Sequence, residues 1–235
     1  MDFSDLKPLD YRDPDLVQVP WVKYYKVEWP KKQIVLHHTV SGPGIEGDLN
    51  TWKAFEAHIA TCMIIERNGK MNQLFPSKYW GYHLGVGKAS LDQSSIAIEL
   101  DSWGGLFLGD GNNKQFGKNA DGTSRIIKTQ VGKFYTVYGS IVDVPVTYYP
   151  NGFRGYYYYE SYTYEQLKSV GELLLLWHKT YGIPLTYNED MWDISSKSLN
   201  GDGGVWTHVS YRKPSDKQDC HPDPNLISML KTISS

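Results

Sequence analysis

Two stretches far apart in the chain hold the residue types that could do chemistry. The first is Gln33-Ile34-Val35-Leu36-His37-His38-Thr39-Val40, an apolar run that ends in two adjacent histidines and a threonine. The second is Trp206-Thr207-His208 with Asp219-Cys220-His221-Pro222-Asp223-Pro224 just beyond it. Between them, Ser95-Ile96-Ala97-Ile98-Glu99-Leu100 is apolar apart from one carboxylate near its end, and a glutamate there needs a reason. Imidazole, thiolate and carboxylate are the groups that zinc takes, and a catalytic zinc keeps three protein ligands and leaves a fourth position for water. A histidine pair by itself is weak support for such a site, because one ring that packs and one that meets solvent is the commoner arrangement.

The elements that must position these residues can be read from the same rows. Ile34 to Leu36 fits a buried central strand, which puts His37 and His38 at its C-terminal edge, where open α/β sheets usually hold ligands. Asp48 is a good N-cap for a helix over about Leu49 to His58, with Trp52, Phe55 and Ile59 on one face. Cys62 to Arg67 reads as a strand, Asn68-Gly69 as a hairpin turn, and Lys70 to Phe75 as the returning strand that Pro76 stops. His83 falls in the loop Trp80-Gly81-Tyr82-His83-Leu84-Gly85, and Ser95 to Leu100 is a further strand. Residues 101–132, rich in Gly, Asn and Lys, read as a long loop with little periodic structure. Phe134 to Thr147 suggests one or two β segments, and Asn151-Gly152 precedes the run Tyr156 to Tyr159. The spacing predicts a β excursion over the rim of the site, an insertion at about 101–160 within one domain. Thr163 caps a helix of about Tyr164 to Tyr181 that Gly182 and Pro184 end, and a last short helix covers about Leu226 to Ile233. Residues 1–32, with Pro8, Pro14, Pro20 and Pro30, read as an irregular arm, and 33–235 as the domain. The expected fold is single-domain α/β, a central mixed β-sheet flanked by helices.

Composition removes several classes of function. The 235 residues are 40% hydrophobic and 21% charged, ordinary for a folded soluble chain. Lys and Arg number 24 against 26 Asp and Glu, a net charge of −2, so nothing drives binding to nucleic acid or to an anionic membrane. Two cysteines exclude a disulfide framework. The first residues have neither a basic n-region nor an apolar h-region, and the longest apolar run, Leu173 to Trp177, is too short to span a bilayer, so synthesis without export is expected. Eighteen tyrosines and 8 tryptophans suit either a groove that stacks on sugar-like surfaces or a core.

The order of these elements and the residues they carry resembles the zinc-dependent N-acetylmuramoyl-L-alanine amidases of the type-2 amidase family, relatives of phage lysozyme-amidases and peptidoglycan recognition proteins. The resemblance rests on His37-His38-Thr39, on Ile64 to Pro76, on Tyr82-His83-Leu84-Gly85 and on Ser95 to Leu100, and it resumes near the C-terminus. It implies a zinc site at the sheet edge with His37 and His208 as ligands. The third ligand in the family is Asp or Cys followed by Pro, commonly with a Lys two residues before it. Asp223-Pro224 fits with His221 in place of the lysine and is the favoured candidate; Cys220 comes second; Lys217-Gln218-Asp219 keeps the lysine but loses the proline. The resemblance further implies Glu99 as proton shuttle, His221 as stabiliser of the oxyanion, and His83 and His38 as contacts to substrate. Some relatives use a tyrosine before the hairpin strand as the proton shuttle, and Thr61 stands at about that position. The implied substrate is bacterial peptidoglycan and the implied chain a monomer. A phage endolysin that accumulates in the host cytoplasm and reaches the wall when the membrane fails is the expected setting, with a bacterial cytoplasmic enzyme as the alternative. Two other functions compete: a peptidoglycan-binding protein of the same fold without catalysis, and a zinc amidase or peptidase that cuts another amide bond.

Overall fold

The computed structural model describes residues 1–10, 22–119 and 121–234. The main sheet begins with β1 (Gln33–His38), in which all six residues are buried. That continuous burial explains why the run does not alternate: both faces are covered, as in parallel sheets. Next come α1 (Glu46–Lys53), β2 (Met63–Ile65), β3 (Met71–Gln73), α2 (Ala89–Ser94) and β4 (Ser95–Leu100). The insertion supplies β5 (Gly105–Leu108), β6 (Asn113–Lys118), β7 (Ser124–Lys128), β8 (Phe134–Tyr135), β9 (Ile141–Val142), β10 (Val146–Phe153) and β11 (Tyr156–Glu160). The chain closes with α3 (Tyr164–Tyr181), α4 (Ser196–Asn200), β12 (Gly204–Thr207) and α5 (Pro224–Ile233).

The main sheet has the order β12-β1-β4-β2-β3. Its first three pairings are parallel and the β2–β3 hairpin is antiparallel, so the sheet is mixed, as expected. Helix α3 is anchored at both ends as its sequence predicts. The Thr163 hydroxyl accepts the Gln166 N–H, and Gly182 takes the left-handed conformation with φ 70°. Its buried face, with Leu167, Val170, Leu173, Leu174 and Trp177, packs on α5 and on β2. Burial of each large side chain there stabilises the fold by roughly 1.5–3 kcal/mol.

Two sequence expectations are corrected. Asp48 is not an N-cap, since α1 starts after Ile45 and ends at Lys53, which places Asp48 in the first turn. Its side chain is buried and accepts from the Ser41 hydroxyl at 3.3 Å, while Phe55, expected on an inward face, is 47% exposed. The supposed loop 101–132 holds three strands. Strands β6 and β7 pair only with each other and are largely exposed, so no apolar alternation marks them in the sequence. The insertion forms a second five-stranded sheet, β10-β11-β5-β8-β9. Arg67 fastens it beside the main sheet: Nε and Nη2 donate to the Glu160 carboxylate at 2.6 and 2.9 Å, and Nη1 meets Asp101 at 2.5 Å. In the N-terminal arm, Phe3 stacks on Tyr164 and Tyr25 bridges to Trp80, whereas Pro14 and Pro20 lie outside the described residues.

Candidate functional site

Parallel register brings the chemistry to one sheet edge. His37 on β1 stands opposite Glu99 on β4, and on the other side Leu36 stands opposite Thr207, the residue before His208. His208 opens a short 3-10 turn capped by the side chains of Thr207 and Ser210. The Val209 N–H donates to the Asp219 carbonyl at 2.9 Å, which holds the following loop against His208.

Three donor atoms converge there. His37 Nδ1 lies 3.0 Å from His208 Nδ1 and 3.2 Å from Asp219 Oδ2, and His208 Nδ1 lies 2.9 Å from the same oxygen. Donors around a tetrahedral zinc with bonds of about 2.0–2.1 Å stand about 3.3 Å apart, so the set has the chemistry and the spacing for that ion. The outer nitrogens are also placed. His208 Nε2–H donates to the Leu84 carbonyl at 3.1 Å, and His37 Nε2 lies 3.0 Å from His83 Nδ1. His83 Nε2 lies 2.7 Å from Ser95 Oγ, whose own hydroxyl donates to the Leu91 carbonyl at 2.7 Å. One proton arrangement satisfies the whole chain, with N–H groups pointing from His37 to His83 to Ser95, and it leaves both Nδ1 atoms bare toward Asp219. Burial, reinforced by His208, lowers the His37 pKa to about 4, so its ring is neutral near pH 7, as a metal ligand must be. Burial pushes the Asp219 carboxyl up, but His208 and His37 outweigh it and hold the group well below the usual range.

The triad lies in the floor of a cleft of about 320 Å³ that Glu99, Lys217, Asp48, Thr61 and Tyr138 also line. Glu99 is half-buried, and its Oε2 is buried without a hydrogen-bond partner. Burial raises its pKa well above the ordinary value, with Asp48 and Asp219 adding and Lys217 opposing.

The structure redistributes the other expected site residues. Asp223 does not join His37 and His208. It caps α5, accepting from the N–H groups of Asn225 and Leu226, and takes a further bond from Thr147 at 3.0 Å. Asp219 stands in the place given to Asp223. Cys220 is fully buried, and burial raises its thiol well above the ordinary value, away from the thiolate that a metal needs. His221 does not face the cleft: it is wholly buried, Nδ1 meets the Tyr149 hydroxyl at 2.8 Å, Nε2 meets the Glu160 carbonyl at 3.1 Å, and its ring stacks on Tyr159. Lys217 lines the cleft, where His221 was expected. His83 reaches the cleft wall, but both ring nitrogens are engaged with His37 and Ser95, so its side chain braces the site and has no ring nitrogen left for substrate. His38 also borders the cleft, although its ring is buried beside Gly104, with Nδ1 on the Tyr162 hydroxyl and Nε2 without a hydrogen-bond partner. Asp48 and Tyr138 carried no signal as cleft residues, because the first was assigned to capping and the second lies in the insertion.

Two imidazoles and a carboxylate at a sheet edge, faced by a further carboxyl and a lysine, form a centre able to hold a divalent metal. Residues 28–224 match the sequence model of the Amidase_2 family, N-acetylmuramoyl-L-alanine amidase, and the chain belongs to that family. No curated protein matches the chain. Among solved structures it is similar to that of PlyL, with 13% identity over 94% of each chain and a TM-score of 0.45. It is similar to the endolysin amidase LysCS from Clostridium intestinale, with 13% identity over 93% of this chain and 96% of that one and a TM-score of 0.46. A selenomethionine derivative of AmpD is 12% identical over 98% of each chain, with a TM-score of 0.48. The family membership stands on the sequence match and not on these likenesses.

Proposed function

We propose that this chain hydrolyses the amide bond between N-acetylmuramic acid and the L-alanine of the peptidoglycan stem peptide, with zinc held by His37, His208 and Asp219. The observation that carries the reading is the convergence of three complementary donors in the cleft of a chain that belongs to the amidase family. Zinc, when bound there, would lower the pKa of water to near 7 and polarise the amide carbonyl. Glu99 accepts the proton that the attacking water gives up and returns it to the leaving amine, the task its raised pKa and cleft position suit. The Lys217 ammonium stabilises the negative charge that develops on the amide oxygen. His83 is a positioning residue that fixes the His37 tautomer through the chain ending at Ser95.

The action on the wall expected from the sequence, by an enzyme made in the cytoplasm of a phage host, belongs to the same proposal. Among the described residues no helix is long and apolar enough to cross a membrane. Expression in a bacterial cytoplasm should leave cells intact until the membrane is permeabilised, and lysis without permeabilisation would contradict that setting. The activity itself is tested by digesting purified peptidoglycan before and after chelation, with the products read by mass spectrometry. Stem peptides beginning with L-alanine, absent after chelation and restored by zinc, are expected. Cleavage at another bond, binding without products, or full activity in chelator would overturn the reading.

A further inference from the structure

Among the described residues, the insertion contributes to the cleft through one side chain. Tyr138 sits in the turn between β8 and β9 and is 53% exposed, yet it lines the same cavity as His37, Glu99 and Asp219. The turn that carries it is closely held. Thr136, fully buried, accepts the N–H groups of Tyr138 and Ser140 on its hydroxyl at 3.2 and 3.3 Å, and its carbonyl accepts that of Gly139 at 2.9 Å. Gly139 has φ 79°, and a Cβ there would come within 2.4 Å of Ile127 and 3.0 Å of Phe116, so only glycine lets the turn seat on β6 and β7. Strand β8 is paired on both sides, to β5 and β9. The ring contacts Trp103 edge-on at 6.5 Å, and the hydroxyl makes no hydrogen bond among the described residues.

A large ring left half in water at a fixed position, with a free hydroxyl, is poorly explained as packing. Trp52 and Tyr82 line the same cavity from residues outside the insertion, so aromatic groups border a floor that is charged and polar. Such a border suits an occupant with a flat apolar face and polar edges, which is what a pyranose ring presents. We propose that Tyr138 is a specificity-determining residue that holds a sugar ring of the glycan strand against the cleft. This rests on the amidase reading and extends it: the insertion makes the enzyme favour stem peptides still attached to a glycan of two or more sugars over those on a single N-acetylmuramic acid. Binding of this kind acts on ground state and transition state alike, so its loss raises KM and leaves kcat nearly unchanged.

The test uses the zinc-loaded full chain and the variants Tyr138→Ala and Tyr138→Phe. Two measurements are made: KM and kcat on stem peptide carried by one sugar and by a glycan of several, and titration with a peptide-free oligomer of alternating N-acetylglucosamine and N-acetylmuramic acid. Tyr138→Ala should raise KM about tenfold or more on the longer glycan, remove the preference between substrates, keep kcat within about twofold, and weaken oligomer binding equally. Tyr138→Phe should retain most of the preference. Unchanged oligomer binding and KM in Tyr138→Ala would overturn the proposal, as would a fall in kcat with the substrate preference intact. If the parental chain binds the oligomer through Tyr138 but releases no stem peptide, the amidase reading fails while the sugar contact stands.

Discussion

The two five-stranded sheets are built on opposite plans. The main sheet is apolar and buried along β1 and β4, and it ends in the groups to which the proposed chemistry is assigned: His37, Glu99 and, after β12, His208. The insertion sheet is rich in tyrosine and partly exposed, with Tyr148 and Tyr157 more than half in water, and among the described residues it places only Tyr138 in the cleft. One sheet fixes reacting groups because covered strands cannot shift register without exposing their apolar side chains. The other adds surface around them. The Arg67 clamp on Glu160 and Asp101 lets the second plan be added without disturbing the first. Substitutions at the edge of the main sheet should therefore act on chemistry, and substitutions in the insertion on binding.

The sharpest break in that contrast comes from the histidines of the triad. His37→Ala or His208→Ala should remove zinc and reduce amide hydrolysis to background, measured as metal content beside product release. A His37→Ala protein that kept a full equivalent of zinc would move the site elsewhere. Next in size, Glu99→Gln keeps the shape and removes the charge. It should cut turnover by about 100-fold or more with zinc content unchanged, and near-parental turnover would place the proton shuttle elsewhere. His83→Ala leaves the His37 Nε2–H without its acceptor, so zinc affinity measured by competition with a chelator should fall by about 10–100-fold. The parental affinity would instead make His83 no more than wall.

A further prediction concerns stability and leaves the chemistry aside. Burial, with Asp101 adding, raises the Asp48 pKa to about 7 from its ordinary 3.8. Between those two values the folded chain keeps a proton that the unfolded chain has released, so stability falls as pH rises and the cost is complete above about pH 7. Asp48→Asn should flatten that dependence and raise the unfolding midpoint at pH 8 while changing little near pH 4, read by thermal melts. Each pKa unit corresponds to about 1.4 kcal/mol, so a gain of up to a few kcal/mol is expected at pH 8.

Legibility in the sequence follows the same division between the sheets. Strands β1 and β4 were readable because burial on both faces writes a continuous apolar run at Ile34 to Leu36 and Ile96 to Ile98, and α3 because its cap, its spacing and Gly182 agree. Strands β6 and β7 were not, since an exposed pair leaves no pattern that separates a ribbon from a loop, and β5 is only four residues long among glycines. In the site, Asp223-Pro224 drew the assignment because Asp then Pro is also how a helix starts, with Asp as cap and Pro in its first turn. The lysine two residues before Asp219 was the better signal, since that spacing lets Asp219 meet the histidines while Lys217 faces the cleft. His83 and His221 were read as site histidines from the family resemblance, whereas what a buried ring does is decided by the partners of its two nitrogens.

The most direct measurement of the central claim is the zinc content of Asp219→Ala and Asp223→Ala, purified alike and set beside the parental chain. Asp219→Ala should bind no stoichiometric zinc and release no stem peptide. Asp223→Ala should keep one zinc per chain and lose only a helix cap, about 1 kcal/mol of stability. Zinc retained in Asp219→Ala and lost in Asp223→Ala would contradict the site described above.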